Sequence, residues 1–416
     1  MRYFCWAFLF AAVAFAQTTV TSLQQLVEHA LAHNPDLLAA RQRVGEAQGL
    51  LRQAGLRPNP SLDVSVANGD LFASRGERQF ELGYSHVLER GGKRERRVET
   101  AQLEAELAAL EVADRERLLR AQVRTRYVEA LAAMRNLGNA RRALDLTHTG
   151  RKLAQARVRE GEGAPLEESL LQVEANRIDS DRLLFESQVE RVVLDLKLLA
   201  GMDEGGTLRV AEPLAAPALA ADSEELARRA LAQRPDIQAA RVEERIAGAQ
   251  LRLAQSQAAP DVVLTGRYAH VQSRFDQPFP LRDRDNLLAA GVSISLPVRN
   301  RNQGNIEAAV ARRRAARLRR EALERSARNE VIAAVSRYDA ARRALDIFAP
   351  GVVRQSEENL RIVRGAYELG ELRLLDVINE QRRLLETQRA YTDLLREANI
   401  AVAELERAVA ATEVLR

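Results

Sequence analysis

The chain contains little cysteine and few aromatic residues. Of its 416 residues one is a cysteine, and phenylalanine, tryptophan and tyrosine together make up 4%. A single cysteine excludes a disulfide within the chain and a cluster of thiolate metal ligands. Few aromatics beside abundant alanine, leucine, arginine and glutamate are typical of thin, closely packed long helices instead of an ordinary globular core.

Lysine is also scarce: Lys93, Lys152 and Lys197 are the only three. Nearly all the positive charge is arginine interspersed with glutamate, and the formal net charge of the chain is +4. This pattern is typical of solvated helix faces with ion pairs one turn apart. Because no aromatic platform or recognition motif accompanies the arginines, nucleic-acid binding is not expected.

Motifs that carry chemistry are missing as well. The sequence has no Gly-x-Ser-x-Gly elbow, no phosphate-binding loop and no dinucleotide fingerprint. His29 and His33 are four residues apart, a spacing that can share a metal ion on a helix, but no cysteine or nearby carboxylate pair completes a site. We therefore predict no enzyme activity, no catalytic residue, no cofactor and no metal site.

The N-terminus carries the one pronounced apolar run. Residues 1–16 combine a basic residue, a short apolar run and the small-x-small pattern AFA, which predicts a signal peptide cleaved before Gln17. The protein is then exported, and Cys5 is lost with the signal peptide. The sequence has no later stretch of about 18 apolar residues, so a helical membrane span is excluded.

The sequence repeats itself at an offset of about 200 residues, the mark of a duplicated structural unit. The segment ALAHNPDLLAAR at 30–41 matches ALAQRPDIQAAR at 230–241. Matching capping-box patterns begin the two helices, and matching prolines are predicted to end them: Ser22 and Asp222, then Pro60 and Pro260.

Each repeat is predicted to fold as a helix, two strands, a very long helix, a tight turn and a return helix. Residues 17–200 form the first repeat and residues 223–416 the second, and the linker at 201–222 is expected to wrap outside the helices. The long helices are predicted over 93–160 and 305–369. At about 1.5 Å per residue each approaches about 100 Å if unbroken, a length that favours coiled-coil packing.

Four segments alternate apolar and polar residues with a period of two, which predicts strands that are apolar on one face and polar on the other. Two lie in each repeat, at about 61–68 and 79–88 and at about 261–272 and 286–296. The residues of the polar faces, called here the polar set, are Asp63, Ser65, Glu81, Ser85, Thr265, Arg267, Ser293 and Ser295.

These strands favour a membrane setting. An exported chain with alternating strands of about ten residues fits an outer-membrane β-barrel, in which the apolar face meets lipid. Four strands are too few to close a barrel, and an open edge in lipid leaves costly unpaired backbone groups. Two copies would give eight strands and a filled interior, whereas three give twelve with room for water. We therefore expect a homotrimer with the polar set facing the lumen, in a mainly α fold that carries a membrane β-barrel.

Four segments carry a family resemblance: ALAHNPDLLAARQRV, LRPNPSLDV, GGKRERRVETAQ and YELGELRLLDVINEQRRL. Their ordered set, duplicated along essentially the whole mature chain, resembles the TolC-like outer-membrane efflux proteins, or outer membrane factors. GGKR and NPDL are most similar to the branch that serves heavy-metal or multidrug pumps of the resistance-nodulation-division (RND) type.

The resemblance implies a trimer with a twelve-stranded barrel in the outer membrane and a long α-helical barrel in the periplasm. It also implies the function of a passive exit duct in a tripartite efflux complex. The partners would be a periplasmic adaptor (membrane fusion protein) and an inner-membrane pump of the RND type.

The two helical hairpin tips, at 159–169 and 367–377, are predicted to make sharp turns, because their glycines permit a positive φ. The resemblance implies that these tips contact the adaptor. The residues predicted to do so are Gly161, Gly163, Gly370, Glu371 and Arg373.

The resemblance also implies a periplasmic aperture with acidic side chains six and nine residues after the turn glycine. Counted from Gly370 these positions are Asp376 and Asn379, and the asparagine departs from the family pattern. Counted from Gly163, they are Ser169 and Gln172. One carboxylate per chain gives a ring of three that weakly favours cations. The alternative is that Asp376 only caps its helix.

Two other functions are compatible with the sequence. The same architecture could serve as the outlet of a type I protein-secretion system, because cargo choice lies largely in the pump and the adaptor. A periplasmic coiled-coil scaffold without a pore is the other alternative, and the alternating strands argue against it.

Overall fold

The structure, a computed structural model, describes residues 22–68, 77–161, 163–203, 205–210, 212–218, 222–275 and 281–410. The predicted signal peptide at 1–16 lies outside these residues. The described residues form two compact units. Counting only the described residues, the first, called the sheet unit, lies within 40–113 and 235–326, and the second, called the helical unit, lies within 22–39, 114–234 and 327–410. Each compact unit therefore takes residues from both sequence repeats.

The sheet unit contains one antiparallel sheet of four strands in the order β1-β2-β3-β4. The strands are β1 (Ser61–Asn68), β2 (Arg78–Leu88), β3 (Val262–Phe275) and β4 (Leu281–Ile294). The prediction of a mainly helical chain with four strands is confirmed. Because β2 and β3 come from different repeats and pair along eleven residues, the duplication is joined in a single sheet.

The last strand differs from its predicted position at both ends. β4 begins at Leu281 instead of about 286, because the charged residues 282–285 continue the backbone ladder with β3. Charged residues are uncommon in strands, so the alternating pattern could not show this extension. β4 ends at Ile294, before Ser295, and Pro297 follows, which has no N–H to donate to a ladder.

Helices of the sheet unit pack through small and branched apolar side chains. The elements are most of α2 (Pro35–Ala54), the start of α3 (Lys93–Arg159), α6 (Pro235–Ser256) and the start of α7 (Gln303–Ile347). Leu103 of α3 packs with Val242, Ile246 and Ala249 of α6 in one buried cluster. An ion pair between Arg245 and Glu106, with an N–O distance of 2.8 Å, lies at the surface of the same contact.

The helical unit contains the remaining helices: α1 (Leu23–His33), α4 (Pro165–Ala200), α5 (Ser223–Gln233), α8 (Arg354–Glu368) and α9 (Leu374–Val409), with parts of α3 and α7. One core joins α5, α7 and α9 around Leu226, Val331 and Leu405. A second core joins α3, α7 and α9 around Val128 and Leu395. Alanine is frequent in both clusters, which allows the close helix packing expected from the composition.

The described part of the linker packs on the helices of the helical unit. Leu214 is 8% exposed and lies in the core with Val128 and Leu395. The hydroxyl of Tyr338 donates a hydrogen bond to the carbonyl oxygen of Pro217 at 3.1 Å. These contacts agree with a segment that runs over the helices.

Proline breaks the opening helix of each repeat where a single helix was predicted. Pro35 and Pro235 are the first residues of α2 and α6, a position that needs no N–H donor. The second helices end at Ala54 and Ser256, before the predicted ends at Pro60 and Pro260. The capping box of Ser22 is present as predicted. Asp222 caps its helix through the Glu224 N–H, without the predicted return bond from Glu225.

The long helix of the first repeat is continuous, whereas that of the second is interrupted. α3 runs over 67 residues and ends one residue before its predicted end. Between α7 and α8, residues Phe348–Val353 are π-helical. A π-helical turn contains an extra residue and shifts the faces of the helix that follows. Among the described residues no helix is both long enough and apolar enough to cross a membrane.

Candidate functional site

The register of the sheet brings the polar set onto one face. In an antiparallel pair, residues directly opposite one another point to the same side. Ser65 lies opposite Glu81, and Ser85 lies opposite Thr265. Arg267 bonds Glu81 across β2 and β3 with an N–O distance of 2.6 Å. Seven members of the polar set lie on this face of the four strands, and Ser295 follows the end of β4.

The other face of the sheet is apolar over most of its length, and none of the residues that the structure describes covers it. Val66, Leu288 and Val292 are 73%, 85% and 66% exposed. Exposed apolar residues on every strand form a continuous surface that a water-soluble sheet would have to bury. This face therefore requires lipid or protein against it.

Both outer edges of the sheet are open within one chain. Among the described residues, β1 pairs only with β2, and β4 pairs only with β3. β1 and β4 have eight and 14 residues, so each presents a row of backbone donors and acceptors along its free edge. Edge pairing between copies would satisfy them.

The first hairpin tip joins α3 to α4 and turns at Gly161, with a φ of +79°. The N–H of Gly161 bonds the carbonyl of Val158, and the N–H of Gly163 bonds the carbonyl of Arg157. Gly163 does not have a positive φ; a side chain there would meet Arg157 and Val158 at 3.1–3.2 Å. Pro165 then begins α4.

The second tip joins α8 to α9 and turns at Gly370, with a φ of +82°. The N–H of Glu371 bonds the carbonyl of Ala366, which closes the turn as in a Schellman motif. Arg373 precedes α9, and its backbone N–H donates to the carboxylate of Asp376 at 3.0 Å. Asp376 therefore caps α9, and its side chain remains exposed.

The backbone identifies which residues of the two tips correspond. Gly161 and Gly370 both have positive φ and both are followed, three residues later, by the residue that precedes the return helix. The third residue of α4 is Glu167, and the third residue of α9 is Asp376. The sequence comparison aligned Gly163 with Gly370 and therefore took Ser169 as the counterpart of Asp376. The backbone aligns Gly161 with Gly370 instead, two residues earlier, so the counterpart of Asp376 is Glu167. Proline is typical of the first position of a helix, so Pro165 could have shown from the sequence where α4 begins. Glu167 would then have been recognised as its third residue, the counterpart of Asp376.

Glu167 connects the two tips within one chain. The hydroxyl of Tyr367, on α8, donates a hydrogen bond to the Glu167 carboxylate at 3.1 Å. The Arg157 guanidinium lies over the Tyr367 ring, 5.8 Å from its centre. Burial and the neighbouring Glu167 carboxylate raise the pKa of the Tyr367 hydroxyl, so this tyrosine stays protonated and can donate.

Apolar contacts support this hydrogen bond. Ala154 of α3, Leu171 of α4, and Leu374 and Ile378 of α9 form a buried cluster beside Tyr367. The two tips are therefore packed together, while Glu371, Arg373 and Asn379 are exposed and free to meet another molecule.

Glu174, one helical turn beyond this cluster, is a buried carboxylate that sequence reasoning missed. It is 1% exposed and bonds Arg177 at 2.7 Å and Arg382 at 2.5 Å. Burial alone would raise the pKa of Glu174, but hydrogen bonds from both arginines outweigh it and hold the pKa below its ordinary value. The ionised carboxylate thereby links α4 to α9.

The described residues hold no group of three or more histidine, cysteine, aspartate or glutamate side chains placed to bind a metal ion. His29 and His33 stack at a ring-centre distance of 4.2 Å. The Nδ1 atom of His29 lies 3.0 Å from the carbonyl oxygen of Ala200, which ties α1 to the end of α4.

Comparison with known proteins agrees with these features. The chain resembles the cobalt-zinc-cadmium resistance protein CzcC of Cupriavidus metallidurans, with 24% identity over 392 residues that cover 93% of this chain and 89% of CzcC. It resembles the outer membrane protein OprJ of Pseudomonas aeruginosa, with 27% identity over 407 residues, 93% of this chain and 83% of OprJ. The fold matches the outer membrane protein VceC of Vibrio cholerae, with a TM-score of 0.73, 23% identity and coverage of 93% and 95%.

A model of the family described as outer membrane efflux protein matches residues 26–202 and 226–411. Both repeats are matched, which confirms the resemblance drawn from the sequence and decides against a scaffold without a pore. The chain belongs to the outer membrane efflux protein family, whose members are channels of the outer membrane that extend into the periplasm.

Proposed function

We propose that three copies of this chain form a passive exit duct, with their sheets joined edge to edge in a twelve-stranded barrel. The free edges of β1 and β4 carry this proposal, because four strands with an exposed apolar face cannot close alone. Three sheets joined β4 to β1 leave no open edge in lipid.

The two faces of the sheet then take opposite environments. The apolar face, with Val66, Leu288 and Val292, meets lipid, and the polar set lines a water-filled lumen. Arg267 and Glu81 neutralise each other there, so the barrel lumen has no strong preference for one sign of charge at this level.

The hairpin tips are the proposed docking surface for a periplasmic adaptor, which links the duct to an inner-membrane pump of the RND type. Gly161, Gly163, Gly370, Glu371 and Arg373 lie at these tips, and the two charged side chains are exposed. Asp376 and Asn379 are proposed to line the periplasmic aperture. Exposed leucines at the same tips, Leu166 and Leu369 at 66% and 78%, supply apolar contact area for a partner.

The cargo is proposed to be small, either a heavy-metal ion or a drug. This rests on the relatives, since CzcC is by name a cobalt-zinc-cadmium resistance protein. No catalytic residue, cofactor or resident metal is required of a duct, because the pump supplies the energy and the cargo must leave.

Disulfide cross-linking between edge strands tests the assembly. Val64→Cys on β1 is combined in turn with Leu288→Cys, Ala290→Cys or Val292→Cys on β4, in a chain that lacks Cys5. We expect one combination to give covalent trimers in outer membranes. The control is Leu82→Cys with Val292→Cys, since β3 separates β2 from β4 within a sheet. Cross-linking of that control with equal yield, or dimers alone from every β1–β4 pair, would contradict the trimer.

A further inference from the structure

Positive charge is concentrated at the end of the sheet where the strands join helices. The connecting segments are residues 55–60, 89–97, 257–261 and 295–303, all in the sheet unit. We call them the basic collar. They contain eight cationic side chains and three carboxylates, whereas the whole chain has a net charge of +4. The eight are Arg57, Arg90, Lys93, Arg94, Arg96, Arg97, Arg299 and Arg301.

Two of the three carboxylates are already paired inside the collar. Asp261 bonds Lys93 at 2.8 Å and also accepts the backbone N–H of Arg90 at 3.1 Å. Glu89 bonds Arg97, with one N–O distance of 2.9 Å. The third carboxylate, Glu95, is exposed near the start of α3. The collar therefore has more cations than its own acidic groups can neutralise.

Four arginines of the collar are exposed and have no carboxylate partner among the described residues: Arg57, Arg90, Arg299 and Arg301. They follow or precede three of the four strands. Exposed apolar side chains lie one to three residues from them in sequence, namely Leu56 at 58%, Leu296 at 77% and Val298 at 71%. Arginines close to exposed large apolar residues are typical of a surface at the boundary between lipid and water.

The opposite end of the sheet differs in charge. The strand residues at that end carry both signs: Arg78, Arg274, Arg282 and Arg284 lie there with Asp283 and Asp285. The net excess of cations is two among these strand residues and five in the collar, so it is larger at the end that continues into helices. In a protein of the outer membrane that extends into the periplasm, this end lies at the periplasmic leaflet.

We propose that the basic collar binds the phosphate groups of acidic phospholipids in the periplasmic leaflet of the outer membrane. Guanidinium groups form paired hydrogen bonds with phosphate oxygens, and neighbouring Leu296 and Val298 would contact the acyl chains. The collar thereby fixes the depth of the barrel in the membrane. This inference goes beyond the duct function and does not depend on the cargo or on the adaptor.

The test is thermal unfolding of the full-length protein in vesicles. One set contains phosphatidylcholine only, and the other contains a mixture of phosphatidylcholine and phosphatidylglycerol. We expect the wild-type protein to unfold at a higher temperature in the acidic vesicles, and the difference to shrink at high salt. Each exposed arginine is expected to contribute about fivefold to the affinity of the collar for acidic lipid, so each single glutamine variant should lose part of this difference in unfolding temperature.

A quadruple variant with Arg57, Arg90, Arg299 and Arg301 each replaced by glutamine is expected to unfold alike in both vesicles. The matched control replaces four exposed helical arginines, Arg43, Arg191, Arg319 and Arg354, by glutamine and should respond like the wild type. A variant with the same four arginines replaced by lysine keeps the charge and is the alternative test if the glutamine variant fails to fold. It should retain part of the difference in unfolding temperature between the two kinds of vesicle.

Three results would overturn the proposal. The first is equal unfolding of the wild-type protein in both kinds of vesicle. The second is an undiminished response of the glutamine variant. The third is an equal stabilisation by free inorganic phosphate in phosphatidylcholine vesicles, which would point to a soluble anion instead of a lipid. Failure of the trimer would be seen separately, in the cross-linking of β1 to β4.

Discussion

Glu174 links α4 and α9 by a buried charge, so its replacement should be more costly than that of a surface glutamate. It is 1% exposed and bonds Arg177 and Arg382. We expect Glu174→Gln to lower the free energy of unfolding by about 2 kcal/mol, because charge-assisted bonds are lost while the half-exposed arginines can be solvated by water. Denaturant unfolding at neutral pH measures this loss.

Glu186→Gln is the matched control on the same helix. Glu186 also bonds two arginines, Arg141 and Arg182, but at the surface, where its side chain is 36% exposed. Its replacement should cost less than about 1 kcal/mol. Equal losses in the two variants would show that burial adds nothing to the Glu174 cluster.

The pH dependence of the same variant has a defined sign. The pKa of Glu174 is lower in the folded chain than its ordinary value of 4.5. A lowered pKa contributes stability that is present above the unfolded pKa and is lost as the pH falls through the folded pKa. The difference in stability between the wild type and Glu174→Gln should therefore be constant near neutral pH and shrink only below about pH 4.5.

At the scale of single residues, the sequence pattern and the backbone agree on the position of Asp376, which lies six residues after Gly370 and is the third residue of α9. Its role at the aperture stays a prediction. Glu167 was missed because Gly161 and Gly163 both fit a turn by composition; the φ values separate them, and Pro165 at the first position of α4 is the sequence pattern that agrees with those values. Glu174 was missed because a glutamate in a helix is ordinarily exposed, and its sequence neighbours do not include the Arg382 that pairs with it.

At the scale of elements, one hydrogen bond joins α8 to α4 at the tips. Tyr367→Phe removes the hydroxyl that donates to Glu167 at 3.1 Å and keeps the ring that packs in the tip cluster. We expect the tips to separate more readily, which raises the open probability of single channels in planar bilayers. The energetic effect should be about 1 kcal/mol, or roughly a fivefold change in the ratio of open to closed states.

Tyr391→Phe is the control for a lost tyrosine hydroxyl. The Tyr391 ring stacks on Phe348 at a centre distance of 6.4 Å and lies under Arg135, and both contacts use the ring. Channels of the Tyr391→Phe variant should therefore have the same open probability as the wild type. If Tyr367→Phe also left the open probability unchanged, the tip hydrogen bond would have no part in gating.

Elements with a strict period were predicted well, and their interruptions were not. The four strands follow from alternation, since residues such as Leu62, Val64 and Val66 share one face. The break between α7 and α8 contains Pro350 and Gly351, a pair that interrupts helices, and the prediction of one continuous helix over 305–369 did not take this pair into account. The breaks before Pro35 and Pro235 could have been predicted from the prolines themselves. They were missed because each proline lies inside the segment that the two repeats share, and that whole segment was interpreted as one helix.

For the whole molecule, the duplicated chain and the open sheet edges lead to the same requirement. Each copy offers four strands and two packed hairpin tips, and only a closed ring of copies covers the edges. In the proposed trimer, a side chain that faces the axis occurs three times around it. At the proposed aperture, Asp376 would therefore contribute three carboxylates to the permeation path instead of one.

Asp376→Asn tests this multiplication of charge at the proposed aperture. Asparagine keeps a side-chain acceptor for the Arg373 N–H and removes the negative charge. We expect the ratio of cation to anion permeability, measured as the reversal potential of single channels under a salt gradient, to fall by up to about fivefold. That factor corresponds to about 1 kcal/mol for a unit charge about 4 Å from the ion in water. The change should be largest at low salt, where screening is weakest.

Asp222→Asn is the control, because it removes a capping carboxylate of the same kind, bonded to the Glu224 N–H at 3.1 Å, away from the tips. It should leave the permeability ratio unchanged, and an equal shift in both variants would assign the effect to helix capping instead of the aperture.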